Sequence, residues 1–334
     1  MRPLQLIAEI KSRNKNGIMR PILIESSPGL GKTQIASQAA KELEIGFMTI
    51  HVPLMQPEDF GLPMPSKNRD GISFLVPSGK FPFENSDCPE KGILLLDEVS
   101  QGSESLQKII ANLSLARELH GKKLKAGWTI VATGNRTIDR SGANRILGHF
   151  RNRVTSMPLD VSLDDWTTWA LNNNVKTEVI AFIRFRPDLL NNFDPQKEVN
   201  ATPRSWVDGV SDSLGYVSKE SEFEVFKGDV GEGPASEFLS FLEIFRTLPN
   251  PDSILLDPKK SGVPTKPATQ YAICGALATR VNKGNFERAL TYIERLPPEF
   301  SMLFILDATR KNPEICNTKA YIKFVSGPTY KTLT

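Results

Sequence analysis

Residues 26–33 read Ser-Ser-Pro-Gly-Leu-Gly-Lys-Thr. Gly29 and Gly31 let backbone amides turn inward around an anion, Lys32 adds a positive charge at the same place, and Thr33 adds a hydroxyl suited to a hard divalent cation. That set makes a loop for nucleotide phosphates, with Ser27, Pro28, Gly29, Leu30, Gly31, Lys32 and Thr33 as contacting residues. Lys32 would neutralise the β- and γ-phosphates, and Thr33 would reach Mg²⁺. The series departs from G-x-x-x-x-G-K-[ST] at its first position, where Ser26 replaces glycine. The phosphate contacts fall on the later residues, so this substitution leaves them in place. The plain alternative is a turn at Pro28-Gly29 that happens to precede Lys-Thr; an apolar run before it and a helical pattern after it weigh against that.

A second group of residues fits the same chemistry. The run Gly92-Ile-Leu-Leu-Leu ends in Asp97-Glu98, and two adjacent carboxylates at the end of a buried strand can divide the work. Asp97 would hold Mg²⁺, while Glu98 would polarise a water for attack on the γ-phosphate. A lone Asp-Glu pair ordinarily marks a solvated turn, and the upstream loop is what changes that reading. Trp128 to Thr133 leads into Gly134-Asn135, bringing an amide that can hydrogen-bond both phosphate and water. Turn chemistry alone would also explain a Gly-Asn pair.

These groups serve one site only if strands deliver them to one edge. Pro21–Ile24, Phe47–Val52, Gly92–Asp97, Trp128–Thr133 and Val154–Leu159 are strand candidates, and the long intervals between them favour parallel pairing through crossovers. Two intervals carry helical stripes, Ile35, Ala36, Ala39, Ala40 and Leu43 in one and Leu106, Ile109, Ile110 and Leu113 in the other. Leu4, Ile7 and Ile10 predict a helix before the first strand. After about Leu159 the pattern becomes helical, beginning with Trp166, Trp169 and Ala170. Ser218–Gly233, acidic and containing glycine, reads as a surface loop, and five prolines between Pro249 and Pro267 exclude continuous helix there. Short amphipathic stretches from Ala268 onward suggest a small helical bundle.

Composition narrows the class. A chain of 334 residues, 40% hydrophobic and 24% charged, is a folded globular protein of about two domains. Its formal charge of +3 is too small to steer it strongly to nucleic acid. Cys88, Cys274 and Cys316 are far apart, so neither a disulfide framework nor a zinc site is expected, and a reducing compartment fits. The longest apolar runs are too short to span a membrane, and the chain reads as cytoplasmic and unprocessed.

The series SSPGLGKT, ILLLDE, VATGN, FRNRV and ATPRSW, in this order, resembles AAA+ ATPases of the MoxR-like, dynein-related group, over about Arg20 to Trp206. The resemblance implies an α/β fold: a P-loop AAA+ parallel-sheet core over residues 1–160 with inserted hairpins, a helical lid over 161–248, and a Pro-rich linker with a C-terminal helical extension over 249–334. It implies Asn135 as the γ-phosphate sensor. It implies a neighbour's arginine at the γ-phosphate, matched here by Arg153, with Arg151 two residues away as an alternative. Thr202-Pro203-Arg204 reads as a helix start, where the dipole disfavours a cation by roughly 0.3–1 kcal/mol; by resemblance, Arg204 is the lid arginine that contacts nucleotide. Gly61–Pro65 with Ile72–Pro77 looks like one inserted hairpin and His120–Lys123 like a second, both available to a partner.

The function so implied is that of an ATP-hydrolysing, Mg²⁺-dependent ring ATPase, usually hexameric, that remodels or activates a protein partner. The resemblance implies a partner with a von Willebrand A-type or metallopeptidase-like domain. A nucleic-acid motor or loader on the same core is the alternative, supported by Lys122, Lys123 and Lys125 and opposed by the near-neutral charge. A small-molecule kinase would have no use for Asn135, Arg153 and Arg204, and a non-hydrolysing switch none for Glu98.

Overall fold

The computed structural model describes residues 1–66, 73–139 and 146–327. Contacts divide the chain into two compact units, Met1–Ser162 with Asp194–Gln196, and Leu163–Phe193 with Lys197–Thr334.

In the first unit, helix α1 (Pro3–Lys15) precedes strand β1 (Ile22–Ser26), helix α2 (Lys32–Leu43) and strand β2 (Gly46–His51). A hairpin of β3 (Leu62–Pro65) and β4 (Ser73–Val76) comes next, then β5 (Lys91–Asp97) and α3 (Glu104–Ala116). A short hairpin of β6 (Glu118–Leu119) and β7 (Lys122–Lys123) leads to β8 (Gly127–Asn135), α4 (Gly148–Arg151) and β9 (Thr155–Pro158). Five strands form one parallel sheet in the order β2-β5-β8-β1-β9. Each is one of the five expected from the apolar runs.

The inner strands β5, β8 and β1 are buried on both faces, which is why they are largely apolar runs rather than alternating ones, whereas the edge strands β2 and β9 are partly exposed. Successive residues face opposite ways. Leu94, Leu96, Ile130 and Ala132 pack with Leu106 and Ile110 of α3, whereas Ile93, Leu95 and Val131 pack with Ile7 and Ile10 of α1 and Ile35 and Ala39 of α2. On α1 the buried stripe is Leu6, Ile7 and Ile10; Leu4, expected in it, is 46% exposed. The Asn14 amide at the end of α1 donates to the carbonyls of Gly92 and Gly127 and to Thr129 Oγ1, pinning the helix to the starts of β5 and β8.

Both expected hairpins are present. In the first, Leu62 pairs with Val76 and Met64 with Phe74, and all four side chains are exposed; Ile72, which the sequence reading included in it, lies outside the described residues. The second turns through His120 and Gly121, both at positive φ, as a tight two-residue hairpin requires. Gly61, at the base of the first, lies against the His120 ring of the second. A Cβ there would stand 2.3 Å from Nε2.

The second unit is helical: α5 (Leu163–Asn172), α6 (Thr177–Phe185), α7 (Glu222–Val230), α8 (Glu232–Arg246), α9 (Pro251–Leu256), α10 (Pro267–Arg280), α11 (Phe286–Ile293), α12 (Pro298–Lys311) and α13 (Lys319–Val325). Phe182, Trp206, Phe226, Phe238 and Phe241 form an aromatic core, with ring centroids 5.2–5.7 Å apart. A second core gathers Ile273, Leu277, Phe286, Tyr292, Phe300 and Phe304. Helix α10 contributes to both, Ala272 to the first and Ile273 to the second. Ser218–Gly233 is not the surface loop expected: most of it is α7, whose Phe226 and Val230 are buried one turn apart, and Gly231 at φ 86° separates α7 from α8. Among the described residues no helix is long and apolar enough to cross a membrane.

Candidate functional site

Register brings the chemistry together. β2 ends at His51 opposite Asp97 at the end of β5, and β1 ends at Ser26 opposite Asn135 at the end of β8. Four neighbouring strands therefore stop at one edge, where ligands bind in open α/β sheets. The turn after β1 passes through Gly29 and Gly31, both at φ 80°, a left-handed conformation that a side chain would penalise. Gly31 caps α2, so the unpaired amides of that helix's first turn open onto the loop.

Lys32 is buried, and its ammonium donates to Asn135 Oδ1 at 2.8 Å, to Ser26 Oγ at 3.2 Å and to the Ser27 carbonyl at 3.2 Å. Thr33 Oγ1 lies 3.1–3.2 Å from both oxygens of Asp97. Lys32 with Asn135 and Thr33 with Asp97 thus form two hydrogen-bonded pairs at one sheet edge, and Glu98, half-buried, follows Asp97 in the turn. A hydroxyl beside a carboxylate is a set of hard oxygen donors, which fits Mg²⁺. The glycine-lined loop one residue before Lys32 fits a phosphate chain.

Three residues at this edge escaped the sequence reading as site residues. Thr133 donates to Asp97 Oδ1 at 2.6 Å and accepts from the Glu98 amide at 2.9 Å. Ser100 Oγ accepts from the Asn135 amide at 3.0 Å. His51 Nδ1 lies 3.5 Å from Asp97 Oδ2. Thr133 was the one a pattern could have found, since it stands two residues before Asn135 on the same strand and so shares its face.

The arginine segment lies on the same unit. Phe150 is fully buried and anchors it. Arg151 forms a two-pronged pair with Glu25 of β1, at 2.7 and 2.8 Å, and this carboxylate raises the Arg151 guanidinium further above its ordinary value. Arg20, just before β1, donates to the carbonyls of Asn152 and Val154 on either side of Arg153. The half-buried Arg153 side chain makes no ion pair or hydrogen bond among the described residues. Among the described residues the two arginines are therefore unequal: Arg151 is ion-paired and Arg153 is not.

In the second unit, Thr202 caps a helix as expected, its hydroxyl accepting from the Ser205 amide at 3.2 Å while Ser205 Oγ accepts from the Thr202 amide at 2.9 Å. Arg204 is exposed in its first turn, and the helix continues as a π-helical stretch over Ser205–Ser211. Of the three hairpin lysines, Lys122 and Lys123 are exposed. Lys125 is buried and donates to Glu90 and to the Cys88 carbonyl.

Residues 22–156 match the profile of the family described as ATPase family associated with various cellular activities (AAA), so this part of the chain is similar to an AAA ATPase family domain. Such a domain supports an ATPase-type activity in general terms. No curated protein matches the chain by sequence. Among solved structures, the RuvB Holliday junction branch migration motor of Thermotoga maritima is 14% identical, with 83% of this chain and 79% of that one covered and a TM-score of 0.39. NtrX from Brucella abortus, in complex with ADP, is 15% identical, with 83% and 63% covered and a TM-score of 0.35. Likenesses this distant carry no argument about activity or partner.

Proposed function

We propose that this chain is an ATP-hydrolysing AAA+ ring ATPase of the MoxR-like group that uses its cycle to remodel or activate a protein partner. The observation that carries the reading is the two hydrogen-bonded pairs at the sheet edge, Lys32 with Asn135 and Thr33 with Asp97. Ser27 to Gly31 would wrap the phosphates. Lys32 would exchange its contact with Asn135 for the β- and γ-phosphates, freeing the amide to orient the attacking water. Glu98 would take the proton from that water. Thr33 and Asp97 would hold Mg²⁺, whose charge offsets that of the phosphate oxygens.

Arg153 is the better candidate for the arginine offered to a neighbouring subunit, because Arg151 is committed to Glu25. Arg204 would serve as the lid arginine, in a lid over 161–248 followed by the extension over 249–334. The assembly is a homo-oligomeric ring, hexameric by family resemblance, in the cytoplasm. Its protein partner would carry a von Willebrand A-type or metallopeptidase-like domain, met by the two hairpins. The nucleic-acid reading is weakened because Lys125, one of its three lysines, is buried against Glu90.

Light scattering and ATPase rate measured together across protein concentration test this. Wild type is expected to assemble with ATP and to hydrolyse faster as it assembles. Arg153→Ala is expected to lose about 10³-fold or more in kcat while still binding nucleotide, and Glu98→Gln to bind ATP and stall. A monomer with constant specific activity, indifferent to Arg153, would sink the ring reading, and wild-type hydrolysis by Glu98→Gln would remove that residue from its role.

A further inference from the structure

Thr133 stands on β8, two residues before Asn135, with no exposed surface. A threonine hydroxyl has one hydrogen to give and lone pairs to receive, and here both capacities are used on the acidic turn of the neighbouring strand. The hydrogen goes to Asp97 Oδ1 at 2.6 Å, and the oxygen receives the Glu98 amide at 2.9 Å. Asp97 and Glu98 therefore hang from one atom of β8. The Leu96–Ala132 pairing of β5 and β8 brings that atom to them.

Glu98 also needs holding. Its φ of 57° is a left-handed conformation, uncommon for a residue with a side chain, and such conformations persist only where the surroundings over-determine them. The hydrogen bond from its amide to Thr133 is one such constraint. The Gln101 amide, donating to the Glu98 carbonyl at 2.9 Å, is another. Thr33 also reaches Asp97, but from the phosphate loop; Thr133 does so from inside the sheet, and its contact is independent of that loop.

We infer that Thr133 is a positioning residue for both carboxylates: it aims Asp97 toward a divalent cation and fixes the turn from which the Glu98 side chain reaches its water. This rests on the ATPase reading above and deepens it.

The test compares Thr133→Val, which keeps the shape and loses the hydroxyl, with Thr133→Ser, which keeps the hydroxyl. Affinity for a fluorescent ATP analogue is measured in EDTA and in Mg²⁺, on wild-type and Glu98→Gln backgrounds, beside kcat and thermal unfolding. Thr133→Val is expected to lose about 10–100-fold in kcat and in the gain that Mg²⁺ brings to affinity, with affinity in EDTA within about twofold of wild type. Thr133→Ser restores both. If Thr133→Val is unfolded at the assay temperature, Thr133→Cys, a weaker donor, takes its place and is expected to fall below Thr133→Ser in both kcat and the gain from Mg²⁺, by less than the about 10–100-fold expected of valine. The inference falls if the valine variant matches wild type in both readouts, or if serine fails as badly as valine with affinity in EDTA lost as well, which would mark a packing role. If wild type itself binds no nucleotide, the ATPase reading fails and Thr133 fails with it; if wild type responds to Mg²⁺ and valine does so equally, Thr133 alone is refuted.

Discussion

The sheet edge and the aromatic core of the helical unit are built on opposite plans. At the edge, buried polar atoms satisfy one another: Lys32 with Asn135, Thr33 and Thr133 with Asp97, Ser100 with the Asn135 amide. In the core of the helical unit, five aromatic side chains pack together, three of them directly against Phe182, and few polar atoms intervene. One of the few, the Trp206 indole N–H, is matched by the Leu189 carbonyl at 2.7 Å. A polar network can exchange partners when a ligand arrives, whereas a close-packed aromatic cluster can only be filled or left with a cavity. Substitutions at the edge should therefore change chemistry more than stability, and substitutions in the aromatic core the reverse.

The sharpest way to break this contrast is Trp206→Ala, which empties the centre of the aromatic core. It is expected to cost about 3–5 kcal/mol, read as a fall in the denaturant midpoint; a cost under about 1 kcal/mol would mean the cluster is not close-packed. Next comes Gly92→Ala at the far end of β5, where the added Cβ would lie 2.7 Å from the Trp128 indole. Overpacking of this kind is expected to cost about 1–3 kcal/mol, checked by thermal unfolding. The smallest effect is expected from Arg151→Gln. Its pair with Glu25 is 42% exposed on the arginine side, so screening limits the loss to about 0.2–1 kcal/mol. A larger drop would show that the pair holds more than the arginine segment.

The inner sheet strands were legible because each is largely a run of apolar residues too short for a helix, and the edge strands β2 and β9, more mixed, were legible from their place in the series. The loop, Asp97, Glu98 and Asn135 were legible because they follow those runs directly. α7 was hidden by its charges. Glu220, Glu222 and Glu224 suggested solvent, yet Glu222 is buried and paired with Arg246 of α8, and Phe226 and Val230 form the inward stripe. Thr133 was legible in its face, two residues before Asn135, but not in its partner. Threonine is an ordinary strand former, and only the register between β5 and β8 shows that its hydroxyl meets Asp97. The inequality of Arg151 and Arg153 likewise depends on Glu25, 126 residues away in the chain. Pattern reveals what neighbours in sequence do together, and these three cases depend on neighbours across the sheet or between helices.

The contact between Gly61 and the His120 ring has a geometric consequence. Since not even a methyl group fits between them, the base of the longer hairpin abuts the turn of the shorter one, whose chain runs directly into β8 and so to Asn135. Any side chain at position 61 would have to displace that ring, so the spacing of the two projections is set by a missing Cβ.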